Sequence, residues 1–489
     1  MDSYEKYLKK TGEIGKVLSV TNSLIYASGL PGAQIGERVI TQKGEVGLIQ
    51  GLDDTNVEIL MFTNKLVDPG IAITRTGEPF RVPVGKNFIG RTIDPVGNSI
   101  DSQNPVIEED EWRDINPDVP GINVRASINQ PFNTGVTLVD TMVPLGNGQR
   151  ELIIGDSKSG KTAFLLQIIL NQKNSGKICI YVAVGKKKLD IKAIEEFLKK
   201  YQLTEFTIMV ASDSAANPGL VYLAPFTGMT LAEYFRDQGK DVVVIMDDLT
   251  THAKFYREIS LQGKKSPGRE GYPGDIYFLH SRLLERAGKF KLAWGQEPAI
   301  SCFPVVESIS GDFTGLIPTN IMSMTDGHIY FDTDLMQKGE LPGINAFLSV
   351  SRVGNQTRGQ MEKEIDFEIR NTLSQYRSAL TFSRFGVELS EVSKSLIRVG
   401  EKINNLFSQT QYEVVSEGLR LIFLSLVLGG FWENKNDVQV GIDKEKLIAA
   451  YQEGKLKTME SKLTKCKDLK EVKDFVKLNY SIFLKLTGG

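Results

Sequence analysis

The chain has 489 residues, of which 24% are charged and 41% hydrophobic, a composition typical of a folded protein with several domains. Its formal net charge of −2 excludes an overall basic field that would call for nucleic acid. Three scattered cysteines exclude a disulfide framework, and the N-terminus and the late apolar run exclude a signal peptide and a membrane span. We therefore expect a soluble, intracellular protein that meets a membrane only through partners.

Short β-rich runs alternate with glycine turns over residues 13–80. About six strands are expected, at 17–20, 24–26, 38–40, 46–49, 57–60 and 71–73. This spacing predicts a small closed β-barrel as a first domain, residues 1–82. Pro79 and Pro83 then mark a linker.

The pattern changes after an irregular stretch, rich in proline and glycine, at residues 84–150. Apolar runs now alternate with helical ones, which indicates an α/β domain with a mostly parallel, doubly wound sheet over residues 83–360. The predicted strands are 152–154, 178–184, 207–211, 242–246, 299–305 and 320–323.

A phosphate-binding loop pattern, G-x-x-x-x-G-K-T, follows the first strand of this domain and opens an apolar helix. Its glycines let successive N–H groups point at phosphate oxygens, and the helix start adds positive charge. Lys161 suits the β- and γ-phosphates of ATP or ADP, and the Thr162 hydroxyl suits Mg²⁺. A chance match is the alternative, and the strand and helix around the loop argue against it. The loop residues are Gly155, Asp156, Ser157, Lys158, Ser159, Gly160, Lys161 and Thr162.

Two carboxylates end a fully apolar strand at residues 242–246. Ligands bind at the carboxyl ends of strands in such sheets, and a phosphate loop needs an acidic residue there to position Mg²⁺ through water. Asp247 is the better candidate of the two. The alternative is that Asp247 and Asp248 only cap the next helix.

Helical spacing dominates after about residue 360. Helices are predicted over 361–382, 388–407, 413–428 and 444–451, and no strand pattern intervenes, which indicates a helical C-terminal domain, residues 361–489. The lysine-rich, amphipathic stretch from Lys455 is interpreted as a solvated helix face, with a docking surface as the alternative.

Several long segments resemble the alpha subunits of rotary F-type ATP synthases, in the family's order. They are P-L-G-N-G-Q-R-E-L-I-I-G-D-S-K-S-G-K-T at 144–162, M-D-D-L-T-T-H-A-K-F-Y-R-E at 246–258, S-P-G-R-E-G-Y-P-G-D-I-Y-F-L-H-S-R-L-L-E-R-A at 266–287, I-P-T-N-I-M-S-M-T-D-G-H-I at 317–329 and L-S-V-S-R-V-G at 348–354. The resemblance implies an N-terminal barrel, a RecA-like nucleotide-binding domain and a helical C-terminal domain.

The same resemblance implies an alternating ring of three alpha and three catalytic beta subunits around a gamma-type central shaft, at the inner face of the cell membrane. Arg352 matches the arginine that alpha subunits extend into the catalytic site of the neighbouring beta subunit. Pro342, Gln409 and Gln411 match residues near the adenine. From the sequence alone, Arg352 would be one arginine among many.

The chain departs from the family's pattern around the nucleotide. Lys186 follows the strand after the loop helix, where catalytic beta subunits carry glutamate and alpha subunits usually carry glutamine. A charged lysine cannot accept a proton from water, so we expect this site to bind nucleotide and hydrolyse it barely or not at all. Ser157 and Lys158 replace the usual arginine and glutamine of alpha subunits, and Leu341 replaces the arginine before Pro342.

Three alternatives to an ordinary synthase subunit stay open at this point. The first strand begins near residue 14, and bacterial alpha subunits carry a longer segment that docks the peripheral stalk. This difference and the altered loop suit an F-type-like paralogue of wall-less bacteria, including those that power gliding motility. A Rho-like RNA-translocating ATPase would need its own catalytic glutamate and a basic, aromatic N-terminal domain. A purely structural ring component would not need Lys161, Thr162 and Asp247.

Overall fold

The computed structural model describes residues 4–101, 109–384 and 390–488. The chain divides into two compact units: the first comprises 1–127, 148–157 and 172–328, and the second comprises 128–147, 158–171 and 329–489. Within the described ranges, no helix combines the length and the apolar character needed to cross a membrane. The predicted domain limits at residues 82 and 360 stay predictions.

The bounds of the elements are as follows. The strands are β1 (Gly15–Thr21), β2 (Leu24–Ser28), β3 (Glu37–Thr41), β4 (Val46–Leu52), β5 (Val57–Met61), β6 (Ala72–Pro79), β7 (Arg81–Val84), β8 (Thr92–Ile93), β9 (Glu111–Asp114), β10 (Pro131–Phe132), β11 (Leu145–Gly146), β12 (Glu151–Gly155), β13 (Ile178–Lys186), β14 (Thr207–Asp213), β15 (Val242–Asp247), β16 (Gly288–Lys289), β17 (Ala299–Glu307), β18 (Gly327–Phe331) and β19 (Val350–Ser351). The helices are α1 (Tyr4–Thr11), α2 (Thr137–Met142), α3 (Lys161–Asn171), α4 (Lys188–Lys200), α5 (Pro218–Arg236), α6 (Leu249–Gln262), α7 (Ile276–Glu285), α8 (Leu316–Met324), α9 (Thr333–Gln337), α10 (Gln360–Arg384), α11 (Glu391–Phe407), α12 (Glu417–Leu428), α13 (Asp437–Gln452), α14 (Lys457–Leu463), α15 (Leu469–Leu478) and α16 (Tyr480–Thr487).

The first unit begins with the predicted barrel. Its strands close in the order β1-β2-β5-β4-β3-β6. Side chains that alternate along the strands fill the interior, because successive residues of a strand face opposite sides. Val17, Val39, Ile59 and Ile73 belong to this buried cluster. The barrel prediction is therefore confirmed, strand for strand.

The predicted linker at Pro79 and Pro83 is wrong in part. Pro79 ends β6, but Pro83 lies inside β7, which pairs antiparallel with β9 so that Pro83 faces Trp112. This ribbon has two strands. Each strand is thus an edge, where a residue without an N–H is tolerated.

A parallel sheet lies at the centre of the remaining residues of the first unit. Its strands lie in the order β12-β17-β15-β13-β14-β8, and β16 adds an antiparallel pair to β17. The central strands read as continuous apolar runs because both faces are covered. The parallel pairings place the carboxyl ends of the strands at one edge, where Gly155, Lys186, Asp247 and Glu307 end their strands.

The predicted strand at 320–323 is wrong, because this segment lies in α8. The buried side chains Ile317, Ile321 and Met324 recur every three to four residues, which is the helical period. A short apolar run does not distinguish the two periods when its flanks are ignored. The strand comes afterwards, at β18.

The second unit is mainly helical after residue 359, as predicted. The helix α10 covers the predicted 361–382. The helix α11 covers the predicted 388–407 from Glu391 onward; Ser390 is its N-cap, and 388 and 389 lie outside the described residues. At its centre, α12 is buried almost all round and packs against α11, α13, α14 and α15. The lysines after residue 455 are mostly exposed, while Met459, Leu463 and Val472 face inward, which fits the predicted amphipathic stretch.

Two fully buried histidines, His252 in α6 and His280 in α7, contact each other in the first unit. The Nε2 atom of His252 lies 3.0 Å from the carbonyl oxygen of Tyr222, which only accepts, so Nε2 carries the proton. His252 Nδ1 then accepts from Nε2 of His280 at 3.0 Å. Burial lowers the pKa of His252 to about 4, and burial with the neighbouring His252 lowers the pKa of His280 well below its ordinary value.

We expect the folded protein to lose stability in mild acid because of these two histidines. Because both folded pKa values lie below the unfolded value of 6.5, the unfolded chain binds more protons and stability falls as the pH drops from 6.5 towards 4. At about 1.4 kcal/mol per pKa unit, His252 alone costs about 2 kcal/mol at pH 5. The measurement is the thermal unfolding midpoint at pH 7 and pH 5. The double variant His252→Gln/His280→Gln should show the smaller acid shift, and an equal shift in both proteins would contradict this account.

Candidate nucleotide site

The phosphate loop joins β12 to α3 in the predicted way. Lys158 and Gly160 adopt left-handed backbone conformations, with φ of 61° and 95°. Alternating handedness of this kind turns consecutive amides to one side, which makes an anion-binding concavity. The start of α3 follows directly at Lys161, and the Thr162 side chain is exposed in its first turn. The loop thus has the geometry of a phosphate site.

Lys161 and Ser159 line the base of this loop. Lys161 is 8% exposed and its Nζ lies 3.5 Å from Ser159 Oγ, so the ammonium is held close to the loop. A lysine in this position acts as a point charge for phosphate oxygens.

Asp156 supports the loop after β17. Its Oδ1 accepts from Ser308 Oγ at 2.6 Å and from the Gly311 amide at 3.0 Å. Asp156 was predicted among the nucleotide-binding residues, and these bonds give its carboxylate a structural task. Whether the nucleotide touches Asp156 stays a prediction.

An ion pair between a half-buried lysine and a buried carboxylate lies at the carboxyl edge of the first unit's sheet. Asp247 is 2% exposed, and its Oδ1 lies 2.7 Å from the Nζ of Lys186. Its Oδ2 accepts a 2.6 Å hydrogen bond from the hydroxyl of Tyr181. Both carboxylate oxygens of Asp247 are therefore engaged by side chains of the neighbouring strand β13.

Asp248 has a different task from Asp247. It is the N-cap of α6, where Oδ1 accepts from the Thr251 amide at 2.6 Å and Oδ2 from the Thr251 hydroxyl at 3.1 Å. Lys186 Nζ lies 3.7 Å from Asp248 Oδ2. The sequence alternative that both carboxylates cap the helix thus holds for Asp248 alone.

The charge of Lys186 is fixed by its surroundings. Burial works to lower its pKa, but the attraction of Asp247, Asp248 and Glu307 outweighs burial and the pKa of Lys186 ends above its ordinary value. The side chain therefore remains an ammonium at neutral pH and is unable to accept a proton. Burial, with the charge of Asp247, raises the pKa of Tyr181 far above its ordinary value, so Tyr181 stays a donor.

The two predicted adenine glutamines lie in different environments of the second unit. Gln409 is 3% exposed, and its Oε1 accepts from the Thr137 amide at 2.5 Å. Its Nε2 donates to the carbonyl oxygens of Gly135 at 3.0 Å and Glu413 at 3.1 Å. Gln411 is exposed. Of the pair, Gln411 is the residue whose amide reaches solvent.

Pro342 lies beside Gln409 in the second unit. The amide of Gln409 donates to the carbonyl oxygen of Leu341 at 3.0 Å, and Pro342 is half-buried. Pro342 also lines a cavity of about 630 Å³ with Leu335, Phe347 and Tyr376. The structure therefore brings Pro342 and Gln409 together, and their position near an adenine stays a prediction.

Arg352 is exposed and follows β19. The strand before Arg352 is short, Val350–Ser351, because the amides of Leu348 and Ser349 turn back to the carbonyl oxygen of Asn345. The backbone beyond Arg352 is fixed by Pro144. A Cβ on Gly354 would lie 1.6 Å from the Pro144 carbonyl oxygen, so only glycine allows this approach.

Tyr181 is the site residue that the sequence reasoning missed. Its signal is a hydroxyl in an otherwise apolar strand, two residues before Ala183, which pairs with Asp247 in the parallel register. Residues two apart face the same side of a strand, so the ring points towards the carboxylate. Glu307, the last residue of β17, was missed as well.

The arrangement of strand, left-handed loop, helix and buried acidic strand end defines a RecA-like, P-loop nucleotide-binding protein. Two family models match: the nucleotide-binding domain of the ATP synthase alpha/beta family over residues 135–351, and the C-terminal domain of the ATP synthase alpha/beta family over residues 359–479. The protein belongs to the ATP synthase alpha/beta family and, within it, to the alpha type of F-type subunits.

Its similarity to curated relatives covers more than four fifths of each relative's length. The ATP synthase subunit alpha of Neorickettsia sennetsu is 37% identical over 90% of this chain and 88% of its own length. The mitochondrial subunit alpha of Neurospora crassa is 40% identical over 93% and 87%, respectively. That of Caldanaerobacter subterraneus is 40% identical over 86% and 83%.

Substitution of the two glutamines should separate their tasks. Gln409→Ala leaves the buried Thr137 amide, in the first turn of α2, without its acceptor, which costs about 1–3 kcal/mol of unfolding free energy. The matched Gln411→Ala removes an exposed side chain and should change stability by less than about 0.5 kcal/mol. Denaturant unfolding of both variants checks this, and equal stability of the two would contradict it.

Proposed function

We propose that this protein is the non-catalytic, nucleotide-binding alpha-type subunit of a rotary F-type ATPase ring. It binds ATP or ADP with Mg²⁺ at its own loop, and it supplies Arg352 to the catalytic site of a neighbouring beta-type subunit. The observation that carries the non-catalytic part is the ammonium of Lys186 beside Asp247.

The charge at Lys186 explains why turnover is absent. Attack of water on a phosphoryl group requires a residue that orients the water and accepts its proton, or passes it on. Lys186 ends the strand after the loop helix, and its proton is stabilised by three carboxylates. Nucleotide binding and hydrolysis are therefore separable in this protein. The loop contacts the phosphates, and Lys186, which lies beside Asp247, cannot act as a base.

The donor atoms at the site suit Mg²⁺ by type. The exposed Thr162 hydroxyl and the Asp247 carboxylate are oxygen donors, which Mg²⁺ prefers. When bound, the ion neutralises phosphate charge. Thr162 at the loop and Asp247, through water, are the residues that would hold it.

Arg352 suits a role across a subunit boundary. It is exposed, and the backbone on both sides is held, since Ser351 Oγ donates to the Pro144 carbonyl oxygen at 2.6 Å and Gly354 N donates to Ser351 Oγ at 3.2 Å. A planar guanidinium on a fixed backbone can meet phosphate oxygens at a constant angle.

The partners follow from the family. We propose an alternating ring with three beta-type subunits around a gamma-type shaft, on the cytoplasmic side of the cell membrane and attached to it through other subunits. Coupling of ATP turnover to rotation and ion transport is part of this proposal. The alternative that the ring drives motility stays a prediction.

The purified subunit alone should bind ATP and hydrolyse it only at the background rate. Fluorescence titration with an ATP analogue and a phosphate-release assay measure the two properties. Lys161→Ala should weaken binding at least about tenfold, which corresponds to about 1.4 kcal/mol. The matched variant Lys192→Ala, at a lysine with 71% of its side chain exposed, should bind normally.

Two results would contradict this proposal. The first is steady-state hydrolysis by the isolated subunit that Lys161→Ala abolishes. The second is complete loss of initial-rate hydrolysis in an assembled ring that carries Lys161→Ala in this subunit, because the mutated site would then be catalytic.

Arg352→Ala should nearly stop steady-state hydrolysis by the assembled ring while ring assembly and nucleotide occupancy persist. The guanidinium charge is required chiefly in the transition state, and an arginine finger contributes about 10³ to 10⁵ in rate. Arg352→Lys should rescue poorly, since an ammonium lacks the planar fork. Asn355→Ala, at an exposed position of the same turn, is the control. A rate within about threefold of the unmodified ring would remove Arg352 from the mechanism.

A further inference from the structure

The ion pair between Lys186 and Asp247 removes a catalytic base, and it also affects whether nucleotide binding needs Mg²⁺. Asp247 is the residue through which the family's fold positions Mg²⁺, yet here Lys186 Nζ already lies 2.7 Å from its Oδ1. The second oxygen receives the Tyr181 hydroxyl at 2.6 Å. A positive charge of the protein itself thus occupies the place of a carboxylate's counter-ion.

We propose that Lys186 is a built-in counter-ion for Asp247 that makes nucleotide binding by this subunit largely independent of Mg²⁺. The inference rests on the proposed nucleotide site and adds that binding there does not require the metal. It assigns Lys186 a positioning and charge-balancing task, not a catalytic one.

The first argument is the availability of the carboxylate. A carboxylate holds hydrated Mg²⁺ by accepting hydrogen bonds from the ion's water ligands, and its negative charge adds to the attraction. With an ammonium at 2.7 Å, the charge of Asp247 is already balanced and one lone pair of each oxygen is in use. The gain from a further cation is smaller in this state than at an unpaired carboxylate.

The second argument is the strength of the pair. Asp247 is 2% exposed, and the side chain of Lys186 is 21% exposed. Separating such a pair without replacing either partner leaves a charge buried and unbalanced, which is costly. Asp248 and Glu307 add to the attraction on the ammonium, so Lys186 has three carboxylates to hold it at this edge.

The third argument concerns what an ammonium provides to a polyphosphate. Lysine is a compact point charge on a flexible stem, with three donors. One donor suffices for Asp247 Oδ1, and two remain for oxygens of a ligand that binds at the same edge of the sheet. The ammonium can therefore serve carboxylate and phosphate together, as a metal ion does elsewhere.

The competing interpretation is that Lys186 only neutralises buried carboxylates and that Mg²⁺ displaces it on binding. The two differ in the ratio of nucleotide affinities with and without the metal. That ratio isolates the metal requirement from any overall loss of affinity.

The experiment is titration of the full-length protein with a fluorescent ATP analogue, once in excess Mg²⁺ and once in excess EDTA. The unmodified protein should show dissociation constants that agree within about threefold, which corresponds to less than about 1 kcal/mol. In Lys186→Gln, removal of the ammonium should make the EDTA value at least about tenfold weaker than the Mg²⁺ value. Lys187→Gln changes the net charge equally at the neighbouring position and should behave as the unmodified protein.

A charge-preserving variant separates this effect from misfolding. Lys186→Arg should keep the affinity ratio close to that of the unmodified protein, and thermal unfolding of each variant identifies any that fails to fold. The inference is overturned if the unmodified protein binds nucleotide more than about tenfold more tightly with Mg²⁺ than with EDTA, or if Lys186→Gln leaves the ratio of the two affinities unchanged. If the unmodified protein binds nucleotide in neither condition, the proposed nucleotide site fails instead.

Discussion

The carboxylate of Asp247 imposes the requirement that shapes this edge of the sheet. A carboxylate at 2% exposure is stable only when charge and hydrogen bonds replace lost water. The parallel register supplies both from β13: Tyr181 faces the same side as Ala183, the partner of Asp247, and Lys186 ends the strand. The carboxylate of Asp248 obtains its hydrogen bonds elsewhere, from the Thr251 amide and hydroxyl at the start of α6.

This solution has a chemical consequence. The last position of the strand after the loop helix is close enough to Asp247 for direct contact, so its residue type decides what chemistry this edge supports. A carboxylate there would repel Asp247 and raise its own affinity for protons, which favours a base. An ammonium is attracted, stays charged and gives the edge a fixed cation. The loop residues Lys161 and Thr162 lie in a different segment, which is why we propose phosphate binding without a base.

Local patterns predicted most of the fold. The barrel strands alternate with period two and are separated by glycines, and β12, β13, β15 and β17 are continuous apolar runs, so each was recognisable from neighbouring residues. The loop was predictable because its geometry follows from residue types at fixed spacing. The predictions failed in two situations. A short apolar run around Ile321 fits both the strand and the helix period, and it lies in a helix. Pro83 suggested a linker, but it is tolerated in a strand because that strand is an edge.

Residues that act through distant backbone groups were not predictable in the same way. Gln409 and Gln411 are of one type and lie two positions apart, and the family resemblance assigned both to the adenine. The difference arises from Thr137, whose amide begins α2 with no side chain of its own N-cap to accept from it. Gln409 provides that acceptor from 272 positions away. Because the need originates in another segment, no local reading of residues 409–411 reveals it. Because the oxygen and the nitrogen of the Gln409 side chain both bond backbone groups, its first role is structural. Any contact of Gln409 with a nucleotide would have to leave these bonds in place.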